Sequence, residues 1–150
     1  MINGVQIKRL VRHADSRGYF QENIRHTDDF LNAFGQWSIS KMVTGTIKAW
    51  HIHNIQTDYW YVPVGVVRAV LCDIRNDSAT FLEMEEYILG DDREPIIIKI
   101  PPGIAHGLKV LQGPAILSYI TSHVYNPDDE LRRPHDDQLI GYDWLKEDIR

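Results

Sequence analysis

Three histidines and one acidic residue stand in two short clusters whose side chains could do chemistry. His51 and His53 form a His-Ile-His step, Asp58 follows five residues later, and His106 closes the segment Pro101-Pro102-Gly103-Ile104-Ala105-His106. On a β-strand, residues two apart project from the same face, so His51 and His53 point together while a hairpin or sharp turn returns Asp58 beside them. Imidazole and carboxylate suit a divalent ion of Fe, Mn, Ni or Zn, geometry selecting among the metals, and His51, His53, Asp58 and His106 would be the ligand set where the fold brings the two clusters together. An unperturbed imidazole titrates near about 6.5, so a neutral His51 is equally suited to take a proton at cytoplasmic pH. His13, His26, His123 and His135 have no comparable neighbours and read as surface or packing residues.

The elements that must position these groups are short and β-rich. Such runs cover residues 66–74, 84–89, 96–100, 108–111 and 116–121, punctuated by Pro63 and Gly65, residues 76–78, 90–93 and 101–103, and the Gly113-Pro114 pair. That rhythm predicts a sandwich or barrel in a single domain spanning residues 1–150. A short helix is predicted over residues 27–35, with Thr27 as N-cap, Asp28 and Asp29 in its first turn and Gly35 as terminator. A second short helix is expected over residues 143–150. The strands are too close together for βαβ crossovers. In the run Tyr59-Trp60-Tyr61, alternation sends the two tyrosines to the face opposite Trp60.

Composition narrows the function classes. Hydrophobic residues are 43% and charged residues 25% of the chain, the profile of a soluble globular protein. No apolar run approaches the roughly 20 residues of a spanning helix, and the N-terminus lacks the apolar core of a secretory signal. Cys72, the only cysteine, lies in an apolar run and reads as a small core residue, so a cytoplasmic location is expected. The net charge of -5 comes without a Lys/Arg-rich block, which argues against nucleic acid and against anionic membrane as partners.

The segment from Gly45 through His51, His53 and Asp58 to Gly65 resembles the first cupin motif, and Pro101 to His106 resembles the cupin PxGxxH element. The resemblance implies an all-β, cupin-type jelly-roll barrel or sandwich, with one or two short helices and the three imidazoles inside. Asp58 stands where cupin metal sites usually carry the longer Glu. Six elements in order also resemble the dTDP-4-dehydrorhamnose 3,5-epimerases. They are Asp15-Ser16-Arg17-Gly18-Tyr19-Phe20-Gln21-Glu22, Gln36 to Ser40, Asp73-Ile74-Arg75 with Ser78, Thr80 and Phe81, Ile100 to Leu108, Tyr125 to Glu130, and the tail around Trp144.

This second resemblance implies a homodimer and a nucleotide-sugar substrate. Such enzymes remove the protons that a C4 ketone acidifies at C3 and C5 of a 4-keto-6-deoxy sugar and return them to the opposite face, so a base and an acid flank the ring. Carried over, His51 falls on the base and Tyr125 on the acid. Arg17 and Glu22 fall on positions that meet the nucleotide, and Gln36, Lys48 and His106 on positions that bind substrate.

The chain also departs from that pattern. The family lysine that stabilises the enolate oxygen falls on Asp58, a glutamine falls on His53, and Lys48 replaces an arginine. Two of these changes turn the epimerase pocket toward a metal-cupin site, where a divalent cation would replace the lysine as a Lewis acid. The family's C-terminal aspartate that orients the base has no counterpart at the right spacing, and Asp148 is not assigned to it. Three functions therefore stand: a nucleotide-sugar isomerase or epimerase, metal-assisted or not; a metal-dependent dioxygenase or decarboxylase needing His51, His53, Asp58 and His106 but not Tyr125 or Arg17; and a noncatalytic sugar-nucleotide-binding paralogue.

Overall fold

The computed structural model describes residues 1–147. Its strands are β1 (Gln6–Arg9), β2 (His13–Asp15), β3 (Gly18–Phe20), β4 (Gln36–Met42), β5 (Ile47–Ile52), β6 (Asp58–Asp73), β7 (Met84–Gly90), β8 (Ile96–Ile100), β9 (Ile104–Thr121) and β10 (Leu131–Arg132). Every pairing between them is antiparallel. The expected all-β architecture is present.

Two strands are much longer than the sequence predicts, and they build both walls of the molecule. The first residues of β6 pair with β8 and with the end of β9, which continues to β4, while β8 also carries β1. The second half of β6 pairs with β7 and with the start of β9, which continues to β5 and β10. Strands β6 and β9 thus run through both sheets of a jelly-roll sandwich. The two segments expected at 108–111 and 116–121 are one strand, and Pro63 and Gly65 lie inside β6 rather than before it. The register between β6 and β9 shifts at Tyr61/Val64, Val64/Val66 and Val66/Val67, where the pair bends from one wall to the other. Gly65 is required there: its φ is +78°, and a Cβ would lie 2.6 Å from the Pro114 carbonyl oxygen and 2.7 Å from Ala115 Cα.

Alternation along these strands sorts the side chains into layers. Val62, Val67, Ala69, Leu71, Ile98, Ile100, Ile104, Leu108 and Val110 fill the space between the walls. Outside the second sheet, Trp50, Val70 and Cys72 are covered by Ile140 and Trp144 of the C-terminal segment, with Trp50 and Trp144 ring centroids 5.0 Å apart. Outside the first, Tyr59 and Ile97 are covered by Leu10, Phe30 and Leu31. Cys72 is buried as expected.

The helix expected over residues 27–35 does not form; the segment is turns and extended chain. Its helix-start signals are used by the sandwich instead. The Asp28 carboxylate accepts from Lys8 Nζ at 2.5 Å and from the Arg25 amide at 2.8 Å, and the Asn32 amide donates to the Tyr59 hydroxyl at 3.2 Å. Phe30 and Leu31 then pack as a lid on Tyr59, a contact that outweighs nine residues of weak intrinsic helicity. The second expected helix is absent from residues 143–147, which turn, and its remainder, including Asp148, lies outside the described residues. The one helical element among the described residues is a 3-10 turn at Pro127–Asp129, capped by the Asn126 side chain accepting from the Asp128 amide. No helix among the described residues is long and apolar enough to cross a membrane.

Candidate active site

The walls enclose a cavity of about 220 Å³, open at one end. Its lining comes from four strands and two connections. Asp58 and Trp60 project from β6, with Leu108, Leu117, Tyr119, Thr121 and His106 from the two halves of β9. Gln36, Ser40 and Met42 come from β4, and Lys48 and His51 from β5. A strict two-residue period would put Lys48 and His51 on opposite faces, but the pairing of β5 with β9 slips between them, so both face inward. Trp60 faces His106 edge-on at 5.3 Å, while Tyr59 packs under Phe30 and the Tyr61 hydroxyl meets Gln21, as alternation requires.

The cavity floor holds His53, Asp58 and His106. Each offers one ligand atom, and these three atoms lie within 4.8 Å of one another. His53 Nε2 is 3.9 Å from Asp58 Oδ1 and His106 Nε2 is 3.7 Å from Asp58 Oδ2. The Gln56 amide donates to Asp58 Oδ1 at 2.7 Å, and the Trp60 indole to Oδ2 at 3.4 Å. Burial pushes the His106 pKa down to about 4, against the pull of Asp58. The loop carrying His53 and Gln56 is held by a residue outside the histidine motifs: the Asp129 carboxylate accepts the amides of Asn54, Ile55 and Gln56 at 2.8 to 3.0 Å.

The mouth is organised by Glu130. The pairing of Leu131 with Ile52 and Arg132 with His51 sets it beside the base candidate, and its Oε1 is 3.5 Å from His51 Nδ1. Its Oε2 accepts from the Tyr125 hydroxyl at 3.2 Å, while Arg132 donates to Oε1 at 3.0 Å. Burial raises the Glu130 pKa, but the hydrogen bonds from Arg132 and Tyr125 outweigh it and hold the group below 4.5. Burial and the Arg132 charge hold His51 below 6.5 despite Glu130, so its neutral, basic form prevails at neutral pH.

The expected residues fall into three groups. His53, Asp58 and His106 converge on the floor. His51, Tyr125, Gln36 and Lys48 line the upper cavity, Lys48 donating to Ser40 Oγ at 2.9 Å and Gln36 accepting from the Tyr125 amide at 2.8 Å. His51 is the one expected metal ligand outside the converging set, and its Nδ1 is turned to Glu130. Arg17 and Glu22 do not line the cavity of their own chain: Arg17 pairs with Asp15 beside the β2–β3 hairpin, and Glu22 pairs with Arg25. Tyr119 also faces inward, so the cavity holds two phenols. Gln56, Asp129 and Glu130 carry no signal in the histidine spacings. The last two lie in the Tyr125–Glu130 motif, whose proline starts the 3-10 turn that aims them.

Comparison with known proteins gives one answer along the whole chain. The family model described as dTDP-4-dehydrorhamnose 3,5-epimerase matches residues 1–150. The spore coat polysaccharide biosynthesis protein SpsL of Bacillus subtilis is 45% identical over 150 residues, covering 98% of this chain and 99% of its own. A dTDP sugar isomerase from Desulfovibrio desulfuricans superposes with a TM-score of 0.91 at 26% identity, covering 98% of this chain and 94% of that one. A Legionella pneumophila epimerase solved in complex with dTDP-4-keto-L-rhamnose superposes with a TM-score of 0.87 at 27% identity, covering 96% and 80%. The chain therefore belongs to the dTDP-4-dehydrorhamnose 3,5-epimerase family, nucleotide-sugar epimerases that act on 4-keto-6-deoxy sugars.

Proposed function

We propose that this protein epimerises a 4-keto-6-deoxy nucleotide sugar, with His51 as the base and Tyr125 as the acid. The observation that carries this reading is Glu130, one carboxylate reaching His51 Nδ1 with one oxygen and the Tyr125 hydroxyl with the other. With the Nδ1 proton directed to Glu130, His51 Nε2 keeps its lone pair and takes a proton from the carbon beside the ketone, and Glu130 stabilises the imidazolium that results. Tyr125, 61% exposed at the mouth, returns a proton from the other side of the ring. Glu130 is then the group that orients the base, the duty for which the C-terminal sequence offered no candidate.

The cavity is smaller than the about 300–1,000 Å³ of drug-sized sites, so it takes the sugar ring and leaves the nucleotide along the mouth, where Lys48 meets phosphate. Arg17 and Glu22 reach a nucleotide only in a homodimer, from one copy into the cavity of its partner. An outward face containing Phe34, Trp37 and Ile39 supports such a dimer, Trp37 being 64% exposed. A cytoplasmic location belongs to the same reading.

The test is solvent deuterium exchange at C3 and C5 of a dTDP-4-keto-6-deoxyhexose, followed by NMR. The intact protein exchanges both positions or one, and Tyr125→Phe keeps exchange while net inversion falls. Tight binding without exchange would make the chain a binder that has lost turnover.

A further inference from the structure

We infer that the cavity floor binds one divalent first-row transition-metal ion through His53, Asp58 and His106, with the neighbouring His51 left outside the ligand set. The inference stands whether or not the cavity turns over a sugar, because its first readout is the ion itself.

The starting point is where the ring protons sit. His53 Nδ1 lies 2.8 Å from the Asp129 carbonyl oxygen, and His106 Nδ1 lies 2.9 Å from the Ile104 carbonyl oxygen. A carbonyl only accepts, so each neutral ring carries its proton on Nδ1 and presents a bare Nε2. Those two lone pairs face the two oxygens of Asp58 at 3.9 and 3.7 Å. Acceptors thus face acceptors, in a place where Asp58 is 4% and His106 3% exposed. The Gln56 amide meets part of this demand, with Nε2 at 2.7 Å from Asp58 Oδ1 and 3.4 Å from His53 Nε2. A cation answers all three donors at once.

Imidazoles anchored through Nδ1 to backbone carbonyls are also the supporting arrangement that metal-bound histidines show, since it fixes the tautomer and the ring plane. The anchors here are themselves fixed. Ile104 and His106 share strand β9, and the Asp129 carboxylate ties three amides of the loop that carries His53. The three ligand atoms lie within 4.8 Å of one another, and side-chain rotation draws them in to meet one ion at about 2.0–2.2 Å. Two imidazoles and one carboxylate select the Mn, Fe, Co, Ni and Zn class over the oxygen-seeking Ca and Mg.

His51 lies outside the three residues whose ligand atoms converge. Its ring stacks beside His106, with centroids 6.2 Å apart and planes 25° from parallel, and its Nδ1 is held toward Glu130. The two histidines of one His-x-His step therefore divide their work, the first for protons and the second for the cation. When bound, the ion supplies positive charge to the region where Asp58 replaces a lysine.

The test uses the full chain, untagged and stripped with a chelator, titrated separately with Co²⁺, Zn²⁺, Mn²⁺ and, without oxygen, Fe²⁺. The expected result is one equivalent per chain by elemental analysis, visible ligand-field bands for Co²⁺, and a rise in Tm. Asp58→Asn and His106→Gln should weaken Kd by at least about 100-fold. Because buried variants can misfold, His51→Asn provides the second arm: it should retain the equivalent and the Co²⁺ spectrum while losing deuterium exchange. Folded wild-type protein that takes up none of the four ions overturns the inference. So does a His51→Asn protein that loses the ion as completely as Asp58→Asn. Failure of the epimerase reading looks different, as full metal occupancy without exchange.

Discussion

Strand β6 begins and ends on a buried aspartate, and the two could hardly be more differently occupied. Asp73, fully buried, accepts from the Arg75 amide and guanidinium at 2.9 to 3.0 Å and from the Ser78 and Thr80 hydroxyls at 2.6 Å. Arg75 in turn donates to the Asn3 carbonyl at 2.6 Å, so the cluster ties the turn after β6 to the N-terminus. Asp58 has one short hydrogen bond, from Gln56, and a long one from the Trp60 indole, and beyond these it looks onto imidazole nitrogens outside hydrogen-bond range. A carboxylate whose lone pairs are filled by its own chain has nothing left to offer a ligand. One that keeps capacity inside a cavity does, and burial alone does not tell the two apart.

The contrast can be tested from both ends. The largest effect belongs to the cavity end: His51→Asn should lower deuterium exchange by about 10³-fold with little change in Tm, measured by NMR and calorimetry. Next comes Asp73→Ala, which deprives the partly exposed Arg75 guanidinium and two half-buried hydroxyls of their carboxylate and should cost about 3 kcal/mol, or about 6–12 °C in Tm, with exchange per folded molecule unchanged. Glu130→Gln should slow exchange by about tenfold to a hundredfold, since the base loses its orientation but not its nitrogen. Asp58→Asn, compared in chelator, should shift Tm by much less than Asp73→Ala. If the two cost the same, the distinction between an occupied and an available carboxylate fails.

Acid gives a further and gradual measure. Burial raises the Asp73 pKa, but its bonds from Arg75, Ser78 and Thr80 win and leave it far below 3.8. A group depressed on folding contributes stability that is fully present above its unfolded pKa and is lost as pH falls through the folded one. The difference in unfolding free energy between wild type and Asp73→Asn should therefore be constant near neutrality and shrink below about pH 4, as read by denaturant titration.

What sequence made legible was the chemistry that repeats at short spacing. The convergence of His53, Asp58 and His106 follows from two spaced motifs, and the opposite faces of Tyr59 and Trp60 from alternation. Bends were not legible, because Pro63, Gly65 and the Gly113-Pro114 pair read alike whether they end a strand or turn it between sheets; only the partner strand decides. The helix signals at Thr27 and Asp28 were real but local, and Lys8, far off in sequence, claimed the carboxylate that would have served a helix start. Glu130 was hidden for a related reason. Its neighbour His51 is brought to it by pairing of β10 with β5, which no spacing within the motif encodes.

Because β6 and β9 each pass through both walls, neither wall can swing or slide without bending two continuous chains and breaking their shared ladder. The enclosed space is therefore of set width, and a bulkier sugar cannot be admitted by breathing of the sandwich. A change in what this cavity admits has to come from exchanging side chains along its lining, while the scaffold stays as it is.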